Sequence, residues 1–156
     1  TSLTALDVSQ NGFSIDNARL RPQDQCDGPG FASEIASGLN DAKGSLSKLI
    51  FSGDSAESKP VTVEVGMTEA DFSGNNLGAA GAQILAAFMS TKLFKAKGSL
   101  SSLTFCGNAG IYGCEGDPVT INTTMTEADF SGAKLRVPGA MILAAWLEHK
   151  VRQHTA

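Results

Sequence analysis

The sequence predicts an α/β solenoid, a short horseshoe of about five units within one domain spanning 1–156. Parallel strands are expected along the concave side, with helices alternating with extended segments along the convex side. Three observations predict this. Long blocks of the chain recur. Each long block holds two copies of a shorter pattern of apolar and Asn positions. The stretches between those patterns switch between helical and strand periodicity.

The repetition is direct. GSLSKLIFSGD at 44–54 returns as GSLSSLTFCGN at 98–108, 54 residues later. PVTVEVGMTEADFSGNNLGAAGAQILAAFM at 60–89 returns as PVTINTTMTEADFSGAKLRVPGAMILAAWL at 118–147, 58 residues later. The shorter pattern reads L-x-x-L-x-L-x-x-N-x-L. Leu3, Leu6, Val8, Asn11 and Phe13 match it throughout; Leu46, Leu49 and Phe51 match with Asp54 at the Asn place. Met67, Ala70, Phe72, Asn75 and Leu77 form the third match. Leu100, Leu103, Phe105 and Asn108 form the fourth, and Met125, Ala128, Phe130 and Leu135 the fifth, with Ala133 replacing Asn. Strands are therefore expected near 3–8, 46–51, 67–72, 100–105 and 125–130, stacked in parallel. Phe51, Phe72, Phe105 and Phe130 are expected to form a buried column. An Asn amide can satisfy backbone groups left open where the chain leaves the strand. Ala133 cannot, so the last turn is expected to be looser.

These residues resemble the leucine-rich-repeat family over nearly the whole chain. NNLGAAGAQILAAFM is similar to the helical stretch of the ribonuclease-inhibitor-like subclass. The MTEADFSG phrase and the PVTV spacer are similar to repeat proteins of unicellular algae. The resemblance implies a non-catalytic protein-binding module. The alternative it implies is a regulatory protein acting on a GTPase, or an enzyme inhibitor.

Taken in order, Gly30–Leu39 reads as a first helix, preceded by a polar, Pro-flanked surface loop over Ser14–Pro29. After Leu77, Ile84, Leu85, Phe88 and Met89 carry a helical period, and MILAAWLEHKV repeats it after Pro138, a residue suited to a helix's first turn. Val61, Val63 and Val65, and later Val119 and Ile121, alternate with polar residues as strands do. Glu148, His149, Lys150, Arg152 and His154 read as a solvated, polar cap on the last helix. The first unit opens at Leu3 with no polar cap, so either the natural chain is longer or a partner covers that end.

Composition narrows function. The net charge of −4 argues against a general nucleic-acid binder, which needs a basic surface. The apolar runs Ile84–Met89 and Gly139–Leu147 fall far short of the roughly 18 residues of a membrane span. The start has neither the basic nor the long apolar region of a targeting signal. Cys26, Cys106 and Cys114 do not make a disulfide framework; a Cys106–Cys114 bridge across a glycine-rich loop and the redox compartment both stay open. No C-x-x-C pair, nucleophile elbow or phosphate-cradling glycine fingerprint occurs, so no enzyme, metal or cofactor is expected. The sequon at Asn122 matters only in a secreted protein. The glutamate–aspartate pairs at 69/71 and 127/129 repeat one surface position and do not read as an acid/base pair.

The solvent-facing strand positions are the candidate site: Asp7, Lys48, Glu69, Asp71, Thr104, Glu127 and Asp129 on the concave face. Five are acidic and one is basic. A protein partner with a basic surface, or a larger assembly, is the expected counterpart.

Overall fold

A computed structural model describes residues 3–11, 28–41, 45–53, 58–106, 109–110, 113–114 and 117–155. The described elements run β1 (Ala5–Asp7), α1 (Gly28–Asp41), β2 (Lys48–Phe51), β3 (Val61–Glu64), β4 (Glu69–Asp71), α2 (Gly78–Met89) and α3 (Lys92–Lys97). Then follow β5 (Ser102–Phe105), β6 (Ala109–Gly110), β7 (Gly113–Cys114), β8 (Val119–Asn122) and α4 (Arg136–Thr155).

The solenoid expectation is overturned. The long strands form two mixed, three-stranded sheets, ordered β1-β2-β3 and β4-β5-β8, and no five-strand parallel stack exists among the described residues. Among the described residues, parallel pairing is confined to β1 with β2, where Leu6 faces Leu49, and β4 with β5, where Ala70 faces Leu103. The physical reason lies in the valine-rich segments. They are strands, as their alternation predicts, but they belong to the sheets and do not form a convex wall. β3 lies antiparallel on β2, with Val63 opposite Leu49, and β8 lies antiparallel on β5, with Ile121 opposite Leu103. Each thereby occupies the edge that a further parallel strand would need.

Chain connectivity accounts for the two directions of pairing. A parallel neighbour needs a long crossover, normally helical. α1 supplies it between β1 and β2, and α2 with α3 between β4 and β5. The returns from β2 to β3 and from β5 to β8 contain no described helix, and those pairs are antiparallel. A tight turn then reverses the chain after β3, with the Met67 N–H donating to the Glu64 carbonyl at 3.1 Å.

The strands alternate buried and exposed, so each sheet has a wet and a dry face. Leu49, Phe51, Leu103 and Phe105 have no exposed surface and meet Ile84, Leu85, Phe88 and Ile142 of the helices in one continuous apolar cluster. Each such side chain contributes roughly 1.5–3 kcal/mol by leaving water. Phe72 joins them at 5% exposed, whereas Phe130 is only half-buried, so the expected phenylalanine column fails at its last member. α2 packs between α1 and α4. It ends at Met89, and Thr91 starts α3: its Oγ1 accepts from the Phe94 N–H at 3.3 Å and donates to the Phe88 carbonyl at 2.8 Å.

The polar-cap reading of the last helix is corrected as well. His149 is 2% exposed, whereas Leu147 and Val151 are 52% and 62% exposed. His154 and Arg152 fall outside the described side chains, and Ser14–Asp27 outside the described residues; Gly28 and Pro29 belong to α1. No helix of the described residues is long and apolar enough to cross a membrane.

Candidate functional site

The helices cover one side of the sheets, so strand positions on the other side stand toward solvent. Register groups them into rows. In the first sheet Ala5, Lys48 and Glu64 align, as do Asp7, Ile50 and Thr62. In the second, Glu69, Ser102 and Asn122 align, as do Asp71, Thr104 and Thr120. Asp7 and Asp71 thus hold the same place in the two sheets, each two strands from a threonine. The predicted residues Asp7, Lys48, Glu69, Asp71 and Thr104 all lie on these outer faces.

Glu127 and Asp129 do not. The strand expected near 125–130 does not form, and residues 127–130 run as irregular chain. A groove of about 360 Å³ lies beside them, lined by Val119 and Thr120 of β8 and by Ala128, Asp129 and Phe130. The acids that stand on the outer strand faces are therefore Asp7 in the first sheet and Glu69 and Asp71 in the second.

The aspartates also have a structural duty that the sequence reading missed. Asp7 Oδ1 accepts the Ser9 N–H at 2.9 Å, Asp71 Oδ1 the Ser73 N–H at 2.9 Å, and Asp129 Oδ1 the Ser131 N–H at 2.8 Å. Each carboxylate closes the turn that ends its segment, as short acidic side chains do. The signal was present as Asp-x-Ser at three equivalent places. Hydrogen bonding to serine holds all three carboxyls below the ordinary carboxylate value: the side chain of Ser9 is the larger cause at Asp7, the backbone of Ser73 at Asp71 and that of Ser131 at Asp129.

Lys48, the one cation on the described strands, is occupied within its own sheet: its Nζ lies 2.9 Å from Glu64 Oε1, the residue opposite it on β3. Thr104 Oγ1 meets Thr120 Oγ1 at 2.8 Å across β5 and β8. The looser last turn is not found. The Ala133 N–H donates to the Phe130 carbonyl at 3.2 Å, the same length as Asn75 N–H to the Phe72 carbonyl, so the backbone carries the turn without an Asn side chain.

His149 is the one buried histidine among the described residues. Its ring lies 5.1 Å from that of Phe94 and 6.1 Å from that of Trp146, and it is hydrogen-bonded with the backbone of Leu100. Burial pushes its pKa down, against the opposing effect of that hydrogen bond. It lines neither described groove: the other, about 400 Å³, lies over α2 between Ala36, Gln83, Met141 and Glu148. Cys106 is disulfide-bonded; its partner lies outside the described side chains. Among the described residues no three His, Cys, Asp or Glu side chains gather as metal donors.

Comparison with protein-family models, with curated proteins and with solved structures finds no match for the chain.

Proposed function

We propose that the chain is a non-catalytic protein-interaction module, an accessory subunit of a larger assembly, and that the outer faces of its two sheets meet a basic segment of a protein partner. One observation carries this reading. The helices bury a single side of each sheet, and the side left in water presents Asp7, Glu69 and Asp71 while its one strand cation is taken up by Glu64. Such a face attracts cations over about 8 Å at physiological ionic strength and steers a basic partner mainly through its association rate.

A lysine-rich peptide, measured by stopped-flow association at two salt concentrations, tests this. The double change Asp7→Asn, Asp71→Asn keeps an oxygen to accept each serine N–H and removes two charges. Association with the wild-type chain should slow as salt rises, and the variant should be slower with a flatter salt dependence. Equal association rates for the two proteins at low salt would discard the proposal.

A further inference from the structure

The octapeptide MTEADFSG occurs twice, at 67–74 and at 125–132, and its two copies have different surroundings. In the first, Glu69–Asp71 is strand β4 and pairs in parallel with β5. Backbone bonds fasten both ends: the Ser101 N–H donates to the Thr68 carbonyl at 2.8 Å, and the Phe72 N–H to the Thr104 carbonyl at 2.8 Å. Ala70 and Phe72 are buried as a result.

In the second copy the same residues form no strand and make no ladder bond with any described residue. Ala128 and Asp129 are exposed and Phe130 is half-buried. Intrinsic propensity cannot separate two identical peptides. The turns that follow them match too, in both the aspartate–serine bond and the backbone bond. What differs is the partner strand.

α4, which follows the second copy, shows the same incompleteness. The recurrence places Ala82, Leu85 and Met89 of α2 at Ala140, Leu143 and Leu147 of α4. The first three are 0%, 0% and 1% exposed. Ala140 is exposed, Leu143 half-buried and Leu147 52% exposed, and Val151 one turn on is 62% exposed. Positions 140, 143, 147 and 151 fall on one stripe of a helix. A strand edge and a helix stripe that are covered in the first copy are both open in the second.

We propose that the Thr126–Phe130 edge receives a parallel strand from a partner protein, of the residue pattern found in β5: hydroxyl, Leu, hydroxyl, Phe. This surface is distinct from the acidic sheet faces and does not depend on that reading. The pattern follows from the paired copy. Ser102 and Thr104 stand opposite Glu69 and Asp71, so small neutral hydroxyls face the carboxylates, while Leu103 and Phe105 point into the core at 0% exposure. Such strand addition draws affinity from main-chain bonds and specificity from alternate side chains. A second copy of this chain fits poorly. Its β2 and β5 already have neighbours on both edges, its β1 or β4 in the same register would set Asp7 or Asp71 opposite Asp129, and its edge strands β3 and β8 lack the Leu and Phe of the pattern.

The test uses a fluorescent peptide with the sequence of residues 97–105, KGSLSSLTF, titrated with the whole protein and read by anisotropy. Saturable binding is expected. It should weaken at least tenfold when the threonine corresponding to Thr104 is replaced by Asp, and when the amide corresponding to Ser101 is N-methylated, a change that leaves the protein untouched. Ala128→Pro, at an exposed position, should abolish binding. No binding at millimolar protein, or equal binding of the N-methylated peptide, would overturn the proposal. Sedimentation velocity tests a second copy as occupant: self-association removed by Ala128→Pro would give the edge to a second copy and overturn the assignment to a foreign strand.

Discussion

Phe94 and His149 pack ring against ring, 5.1 Å between centroids, and so join α3 to α4. Lys95, the next residue after Phe94, reinforces the junction by donating to Glu148 Oε1 at 2.7 Å. The aromatic contact holds a titratable ring in a site 2% exposed, where the neutral form is favoured.

A pH dependence of stability follows. The folded pKa of His149 lies below its ordinary value of 6.5, so the unfolded chain binds the proton more readily. Stability from this group is fully present above about pH 6.5 and is lost as pH falls from there through the lower folded pKa. The carboxyls of Asp7, Asp71 and Asp129 are held below their ordinary value of 3.8, so what they contribute starts to be lost only in more acid solution than the contribution of His149. Urea denaturation at pH 7.5 and pH 5 should show a drop for the wild-type chain and a smaller one for His149→Phe. Equal drops would place the titration elsewhere.

Gly53 admits no side chain. A Cβ there would stand 2.8 Å from Leu77 Cα and would overlap the Asn76 carbonyl, all backbone atoms at the entrance to α2. Gly81 of that helix also rests on Gly53, its own added Cβ lying 3.2 Å from the Gly53 Cα. Gly53→Ala should therefore cost about 1–3 kcal/mol, as overpacking does. Gly66→Ala, which meets nothing within 4 Å, should change stability by under about 0.5 kcal/mol. Paired denaturation curves decide, and equal midpoints for the two variants would contradict the close approach.

Phe72 and Phe130 sit in the same octapeptide, yet the first is 5% exposed and the second half-buried. Phe72→Ala should cost about 3–5 kcal/mol. Phe130→Ala should cost roughly half as much, because less apolar surface returns to water. Calorimetry on both variants measures the difference. A loss under about 1 kcal/mol at Phe72 would remove it from the core.

The inward positions were legible because alternation encodes them locally. Leu49, Phe51, Leu103, Phe105, Val63 and Ile121 are all buried where the pattern placed them. Which strand each would pair with was not legible, since alternation is blind to direction and neighbour. That is why β3 and β8 were assigned to the wrong layer, and why 125–130 was read as a strand although no described strand pairs with it. His149 was misread from its charged neighbours Glu148 and Lys150. Its helical phase held the better signal: Ile142, Ala145, Trp146 and His149 follow the buried spacing of one helix face. The aspartates were rightly placed outward at Asp7 and Asp71, but their serine bonds needed three-dimensional turns to be seen.

Lys134 carries a removable strain. Its φ is 48°, in the left-handed region, as is that of Asn76 at 48° in the corresponding turn. Asn tolerates this conformation through its short polar side chain; Lys pays a steric cost of roughly 1–2 kcal/mol. Lys134 is exposed, so little packing is lost on truncation. Glycine accepts the conformation freely but adds backbone entropy to the unfolded chain, worth roughly 0.5–1 kcal/mol. The two effects oppose, and the steric term is the larger. Lys134→Gly should therefore raise stability by roughly 0.5–1 kcal/mol, against the usual direction for glycine. Ala96→Gly, at an exposed position inside α3, should lower it by about 1 kcal/mol, the ordinary helical penalty. Thermal melting of both variants beside the wild-type chain separates the two cases by sign. A lower melting temperature for Lys134→Gly would show that this turn relaxes without strain when lysine occupies it.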